Sequence, residues 1–285
     1  MSDLWAPPDT MSPDRSIFAD DQMYLGNSEH YFLCGKSAID VLTAALRLTH
    51  VTPQAILDYG AGAGRVTRWL KAAFPTARIY ACDVRAGDME FLRATFGVET
   101  WTVSPDVEKL EIPHRVDLVW AGSVMTHLSR RDAAVLIGKL LAACNPGGLV
   151  AFSFHGPSVL TSGNAGSRYI HEIAWARIQL GYYLTGYGYA DYRGEKSYGI
   201  SLCSLGWIVR LARSIPDVQI KMLGEVVWDG HHDVVVLQKM PSPPPADPER
   251  WRRLFDDLVL SLKLAMPPAI RRASRSRRAP PDRDP

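Results

Sequence analysis

The sequence predicts an α/β fold with a mostly parallel sheet, and three observations predict it. A short apolar strand at residues 56–59 runs straight into alternating glycines at 60, 62 and 64. Further strand-like runs at 78–83, 99–103, 116–121 and 149–154 are separated by stretches of helical spacing or by loops. The run Val116-Asp-Leu-Val-Trp-Ala121 is apolar enough, and short enough, for a parallel strand buried on both faces.

Taken in order, Ile56-Leu-Asp58-Tyr59 is the first strand, and Gly60, Gly62 and Gly64 let the backbone turn tightly and approach a ligand where no Cβ intervenes. Val66, Trp69, Leu70 and Ala73 recur at helical spacing until Pro75 ends the run. Arg78-Ile-Tyr-Ala-Cys-Asp83 is a second strand closed by an acid, a carboxylate suited to accept both hydroxyls of a ribose. Glu99–Val103 is a third strand and Val116–Ala121 a fourth, with Ser123-Val-Met-Thr-His127 at its carboxyl end. Asp132 opens a helix carrying Val135, Leu136, Leu140 and Ala143, which stops at Asn145-Pro-Gly-Gly148 before the strand Leu149–Phe154. Leu202–Ile215 is expected as a helix, and Gln219–Trp228 and Asp233–Lys239 as two strands joined by Asp-Gly-His-His.

A dinucleotide fingerprint would need its third glycine one residue later, where Arg65 stands. The pattern Asp58-x-Gly60-x-Gly62-x-Gly64, followed in order by Asp83 and the Pro-Gly-Gly turn, instead resembles the class I S-adenosylmethionine (SAM) dependent methyltransferases over residues 30 to 240. That resemblance implies a doubly wound, seven-stranded sheet with an antiparallel last strand, and SAM as cofactor. It implies cofactor contacts at Asp58, Gly60, Gly62 and Gly64, the ribose at Asp83 and the adenine amino group at Asp106, with a solvated loop acid as the competing reading of Asp106. It also implies a lid ahead of the first strand, with Tyr24, Tyr31 and Gly35 as its residues; packing of Tyr31 on the core competes.

The chain has 285 residues, 47% of them hydrophobic, and a net charge of only +2, so no global field favours nucleic acid. Cys34, Cys82, Cys144 and Cys203 are scattered and read as reduced structural thiols. Without a leader-like or membrane-spanning apolar run, a cytoplasmic location is expected. Residues 1–28 are expected as a flexible arm and 29–240 as the methyltransferase domain. Residues 241–285 are expected as a Pro-rich linker, an amphipathic helix with Trp251, Leu254, Phe255, Leu258 and Leu262 on one face, and a basic disordered tail suited to peripheral contact with anionic lipid or an acidic partner.

Residues 157–200 form an insertion rich in tyrosine, including Tyr169, Tyr187, Tyr192 and Tyr198. Such a segment on the carboxyl side of an open sheet reads as a substrate cap for a sugar or planar aromatic, with a homodimerisation arm as the alternative. Strand order brings His127, His155 and the pair His231-His232 to that side, and a neutral imidazole is the natural acceptor for a hydroxyl proton. His155 or His232 is the favoured base, with Asp233 orienting a neighbouring ring. No Cys/His grouping has metal-ligand spacing in the sequence, and His231 and His232 are poorly arranged to serve one ion alone, so no metal is expected. The expectation is metal-independent O-methylation of a small molecule or glycan; the alternative is a degenerate, SAM-binding scaffold.

Overall fold

The structure is a computed structural model that describes residues 11–161 and 170–241 and, of residues 252–261, all but 254, 259 and 260. Its main sheet has seven strands: β1 (Ala55–Tyr59), β2 (Arg78–Asp83), β3 (Glu99–Thr102), β4 (Val116–Ala121), β5 (Cys144–Phe154), β8 (Val218–Trp228) and β9 (His232–Lys239). They are ordered β3-β2-β1-β4-β5-β9-β8. Pairing is parallel from β3 through β5, and β9 runs antiparallel to both β5 and β8. The doubly wound sheet with one antiparallel strand is therefore the architecture the sequence predicts.

One face is covered by α1 (Ser28–Thr49), α2 (Thr67–Ala73) and α3 (Ala86–Phe96), whose buried Leu42, Leu46, Leu70 and Leu92 pack with Ile56, Leu118 and Trp120. The other carries α4 (Arg130–Ala143) and α7 (Leu205–Ser214), where Leu136, Leu140 and Ile208 meet Leu57, Val119 and Leu237. The alternation along each strand thus feeds two cores at once, as strands buried on both faces require. Caps set the helix starts: Asn27 accepts from the His30 N–H at 3.1 Å, and Ser129, three residues ahead of the expected Asp132, caps α4.

Two expectations are corrected. The Pro-Gly-Gly stretch is no loop: β5 begins at Cys144, and Gly147 absorbs the irregularity with φ +86° where the pairing with β4 shifts register. Leu202 and Cys203 are not helical; they end the strand β7 (Gly199–Cys203), and Ser204 then caps α7. Residues 11–27, part of the expected arm, touch the domain at a few points: Phe18 stacks on Phe91 at 5.0 Å, and the buried Arg68 donates to the Asp14 and Ser16 carbonyls at 3.1 and 2.8 Å.

The insertion has a small core of its own. The short α5 (Ser158–Thr161) is followed, after residues outside the described set, by α6 (Glu172–Thr185) and by β6 (Tyr187–Asp191), which pairs antiparallel with β7. Val159, Ile170, Ile178, Ile200 and Leu202 bury one another there. Tyr169, the Pro-rich linker, Trp251, Leu254, Leu262 and the Arg-rich tail lie outside the described residues; the described part of 252–258 is helical.

Candidate active site

Parallel order puts the carboxyl ends of β1, β2, β4, β5 and β8 at one edge of the sheet, and the turn into β9 joins them there. At the end of β1, the Gly60 and Ala61 N–H groups donate to the Cys82 carbonyl at 2.8 and 3.1 Å. The Gly62 N–H donates to Asp83 Oδ2 at 2.9 Å, and Asp83 Oδ1 accepts the Arg85 N–H at 3.2 Å. Each carboxylate oxygen keeps further lone pairs for a ligand hydroxyl.

The three glycines have different reasons to be glycine. A Cβ on Gly60 would stand 2.3 Å from Val124, and one on Gly64 would stand 2.3 Å from Leu92 and 2.7 Å from Phe96. Around Gly62, with φ +51°, no atom of the described residues other than Gly62 and its chain neighbours lies within 4 Å of that point. A side chain at position 60 or 64 would therefore collide with the core, while Gly62 leaves its approach open.

Asp58 lies beneath this loop at 2% exposure and accepts the Thr67 hydroxyl at 2.6 Å, tying β1 to α2. Burial pushes its carboxyl up to about 7, against the lowering effect of the Thr67 bond. Asp106 is committed to capping the turn 107–109, accepting the Glu108 N–H at 3.1 Å, and pairs with Lys109 at 3.3 Å. Of the three lid candidates, Tyr31 and Gly35 sit in packed surroundings. Tyr31 is 1% exposed and donates to Asp21 at 2.6 Å, and a Cβ on Gly35 would fall 2.3 Å from the Arg65 carbonyl and 2.5 Å from Trp69. Gly35 thus lets α1 and α2 touch. Tyr24 bonds Ser28 at 2.7 Å on the same helix start.

At the other half of the edge, the hairpin of the insertion lies across β4 and β5. Ser201 donates to the Met125 carbonyl at 2.8 Å, and the Cys203 N–H donates to the His155 carbonyl at 2.8 Å. His127 Nδ1 donates to the Gly199 carbonyl at 2.9 Å, and its ring lies 5.0 Å from that of Tyr198. His155 Nδ1 donates to the Ser201 carbonyl at 3.2 Å, and its ring stacks on His232 at 5.2 Å with 15° between planes. His231 Nδ1 donates to the Asp229 carbonyl at 2.7 Å, with its ring 4.0 Å from His232. His232 is 3% exposed, and neither ring nitrogen has a hydrogen-bond partner among the described residues.

Burial lowers the histidines: His155 to about 4, His232 well below its ordinary range with His155 and His231 adding to the effect, and His127 in the same direction. All are neutral near pH 7. Asp233 orients none of them: it alternates to the other side of β9, accepts the Val226 N–H at 2.9 Å, and points Oδ2 at Gly156, where a Cβ would lie 1.7 Å away.

The fold also brings together histidines that the sequence spacing keeps apart. His155, 76 positions before His231, stands beside the pair, and one ligand nitrogen from each of the three lies within 4.8 Å of the others. Arg65 connects the two halves, its guanidinium 5.7 Å over the Trp228 ring and its charge felt at His232. Tyr198, on the hairpin, feels the charge of Asp83. Arg65 was visible only as a departure from the dinucleotide pattern, and nothing local marked its reach toward His232. A separate cleft of about 270 Å³, lined by Lys71, Arg78 and Glu99, opens toward the amino ends of β2 and β3, away from these groups.

Residues 56–148 match the family model described as a methyltransferase domain. Among curated relatives, the chain is 35% identical over 122 residues to a malonyl-[acyl-carrier protein] O-methyltransferase of Methylococcus capsulatus, covering 42% of this chain and 44% of that one. It is 29% identical over 178 residues to the protein of that name from Hahella chejuensis, covering 60% of each. The chain thus spans about half the length of the curated relatives it matches. Among solved structures, a SAM-dependent methyltransferase from Clostridium acetobutylicum aligns with a TM-score of 0.53 at 12% identity, over 72% of this chain and 92% of that one. The fold is that of the class I methyltransferases, and the matched segment holds the glycine loop, Asp83 and His127.

Proposed function

We propose that this chain is a SAM-dependent methyltransferase acting on an oxygen of a small molecule or glycan. The observation that carries the reading is Gly62: it is open to a ligand on its Cβ side, while its N–H is held by the acid at the tip of the next strand. Bound there, SAM supplies an electrophilic methyl carbon on a sulfonium. Gly62 admits the nucleoside, Asp83 accepts the ribose hydroxyls, and Asp58 keeps the loop in place from below through Thr67. The main task left to the protein is to hold an oxygen in line and exclude water.

Residues 157–200 act as the acceptor cap, and Tyr198 and Tyr192 offer it aromatic faces beside His127. For a hydroxyl acceptor, His155 is the base: its Nδ1–H is occupied by Ser201, which leaves the Nε2 lone pair for the proton. His232 and His127 stand behind and beside it.

A second acceptor class is favoured by Arg65, whose positive charge near the cluster suits an anionic oxygen, and by the names of the relatives. A carboxylate needs no base. Product chemistry separates the two classes, because a methyl ester releases methanol in mild alkali and a methyl ether does not.

The test is calorimetric titration of S-adenosylhomocysteine into wild-type and Asp83→Ala protein, followed by turnover with labelled SAM and a cell extract. Binding lost with Asp83, together with label transferred to a product, is expected. Binding without any transfer would instead leave the fold as a non-catalytic scaffold, and absence of binding to folded wild-type protein overturns the proposal.

A further inference from the structure

We propose that His155, His231 and His232 form a site for one borderline divalent cation of the zinc type, completed by an anionic oxygen ligand. Imidazole nitrogens suit zinc and its neighbours in the first transition row, and three protein ligands with one position left open is the arrangement of reactive rather than purely structural zinc sites.

Two of the three tautomers are fixed. His155 and His231 each donate Nδ1–H to a backbone carbonyl, of Ser201 and Asp229, which leaves Nε2 as a lone pair. A second-layer bond of this kind orients ligating histidines in metal proteins. His232 is buried with neither nitrogen partnered among the described residues, a costly state for a polar ring, and a bound ion would satisfy one of the two. The nitrogens lie within 4.8 Å of one another, whereas bonds of about 2.1 Å to a tetrahedral ion place them about 3.4 Å apart, so the rings must close by roughly an ångström. The partly exposed His231, on the turn after Asp229, has the freedom to do so.

The surroundings decide the remaining ligand. Asp233 faces away, and Asp229 directs its carboxylate to His30 at 3.3 Å. Arg65 is the charged group that faces the cluster, and it disfavours a bare dication but favours one carrying hydroxide, carboxylate or alkoxide. This role rests on the anionic-oxygen acceptor reading above, in which His155 is not needed as a base. An imidazole whose lone pair holds an ion no longer takes a proton, and the ion instead lowers the pKa of the oxygen bound to it.

The experiment titrates zinc chloride into tag-free, chelator-treated full-length chain by calorimetry, with thermal melts in parallel, for wild type, His155→Ala and His231→Ala. One equivalent of zinc per chain and a rise in melting temperature are expected for wild type, with affinity reduced on the order of 100-fold in each variant. Melts of the zinc-free variants verify folding, and His231→Ala, on a partly exposed turn, keeps the test available if His155→Ala unfolds. Wild-type zinc binding that is absent, or that both variants retain, overturns the site. S-adenosylhomocysteine titrated into the same zinc-free samples reports the cofactor reading separately, so failure of one is distinguishable from failure of the other.

Discussion

The glycine loop and the histidine cluster occupy one edge of the same sheet but are finished to different degrees. At the loop, the Gly60, Ala61 and Gly62 N–H groups all have acceptors in the protein, and Asp58 has its Thr67 donor. At the cluster, His232 carries two unpartnered nitrogens and the nearby Asp233 an unpartnered oxygen. The first region is preorganised by its own backbone, so its ligand meets a ready-made cradle. The second holds neutral, desolvated groups whose matching must come from what binds there.

The largest expected effect tests how much of the loop is packing. Gly64→Ala drives a Cβ into Leu92 and Phe96 at a positive φ and should cost at least about 3 kcal/mol in urea unfolding. Gly62→Ala meets open space and should cost only about 1 kcal/mol, for its backbone conformation, while weakening S-adenosylhomocysteine at least about tenfold. Equal stability losses in the two variants would erase the distinction between them.

The cluster should govern the acid limit. The folded pKa of His155, about 4, lies below the unfolded value near 6.5, so the unfolded chain takes up the proton first. Stability should fall as pH drops from about 6.5 toward 4, by on the order of 3 kcal/mol for this group. His155→Gln should flatten that limb in melts across the range. Asp83→Ala, at the loop, should reduce S-adenosylhomocysteine affinity by about 100-fold, from the loss of two charge-assisted hydrogen bonds, with no change in the acid limb.

Asp58 sharpens the contrast from the alkaline side. Its folded pKa of about 7 lies above the unfolded value of 3.8, so the stability linked to its proton is present below 3.8 and is lost as pH rises through 7. Asp58→Asn, which keeps an acceptor for Thr67, should therefore be more stable than wild type at pH 8, by about 2 kcal/mol more than at pH 5. A variant that gains nothing on the alkaline side would show that Asp58 is ionised in the fold.

Legibility in the sequence followed how local each cause was. The limits of β2 and β4 were readable to the residue because turn residues or an acid bound their apolar runs. The loop and Asp83 were readable because strand, glycines and acid follow in order. The packing of Tyr31 was one of two readings left open, and that of Gly35 was not legible, because a helix residue's surroundings depend on its neighbour, here Arg65 and Trp69 of the next segment. The end of β7 was read as helix because Leu202 and Cys203 continue the apolar spacing of α7, and only pairing with Tyr187 and Gly188 makes them strand. Nothing local in residues 11–27 marks that Arg68 bonds the Asp14 and Ser16 carbonyls from 54 and 52 positions away.

By itself, the sequence determined the doubly wound α/β sheet and the glycine cradle with its acid, because alternation, helical spacing and glycine freedom act within a few residues of one another. Strand order brought His155 and the His231-His232 pair to one side of the sheet, but tertiary structure alone decided that their rings stack, that Asp233 turns away from them, and that Arg65 reaches the same cluster. Those relations depend on which strands become neighbours, and β9 enters the sheet beside β5 against chain order. Composition and spacing carry no record of that adjacency.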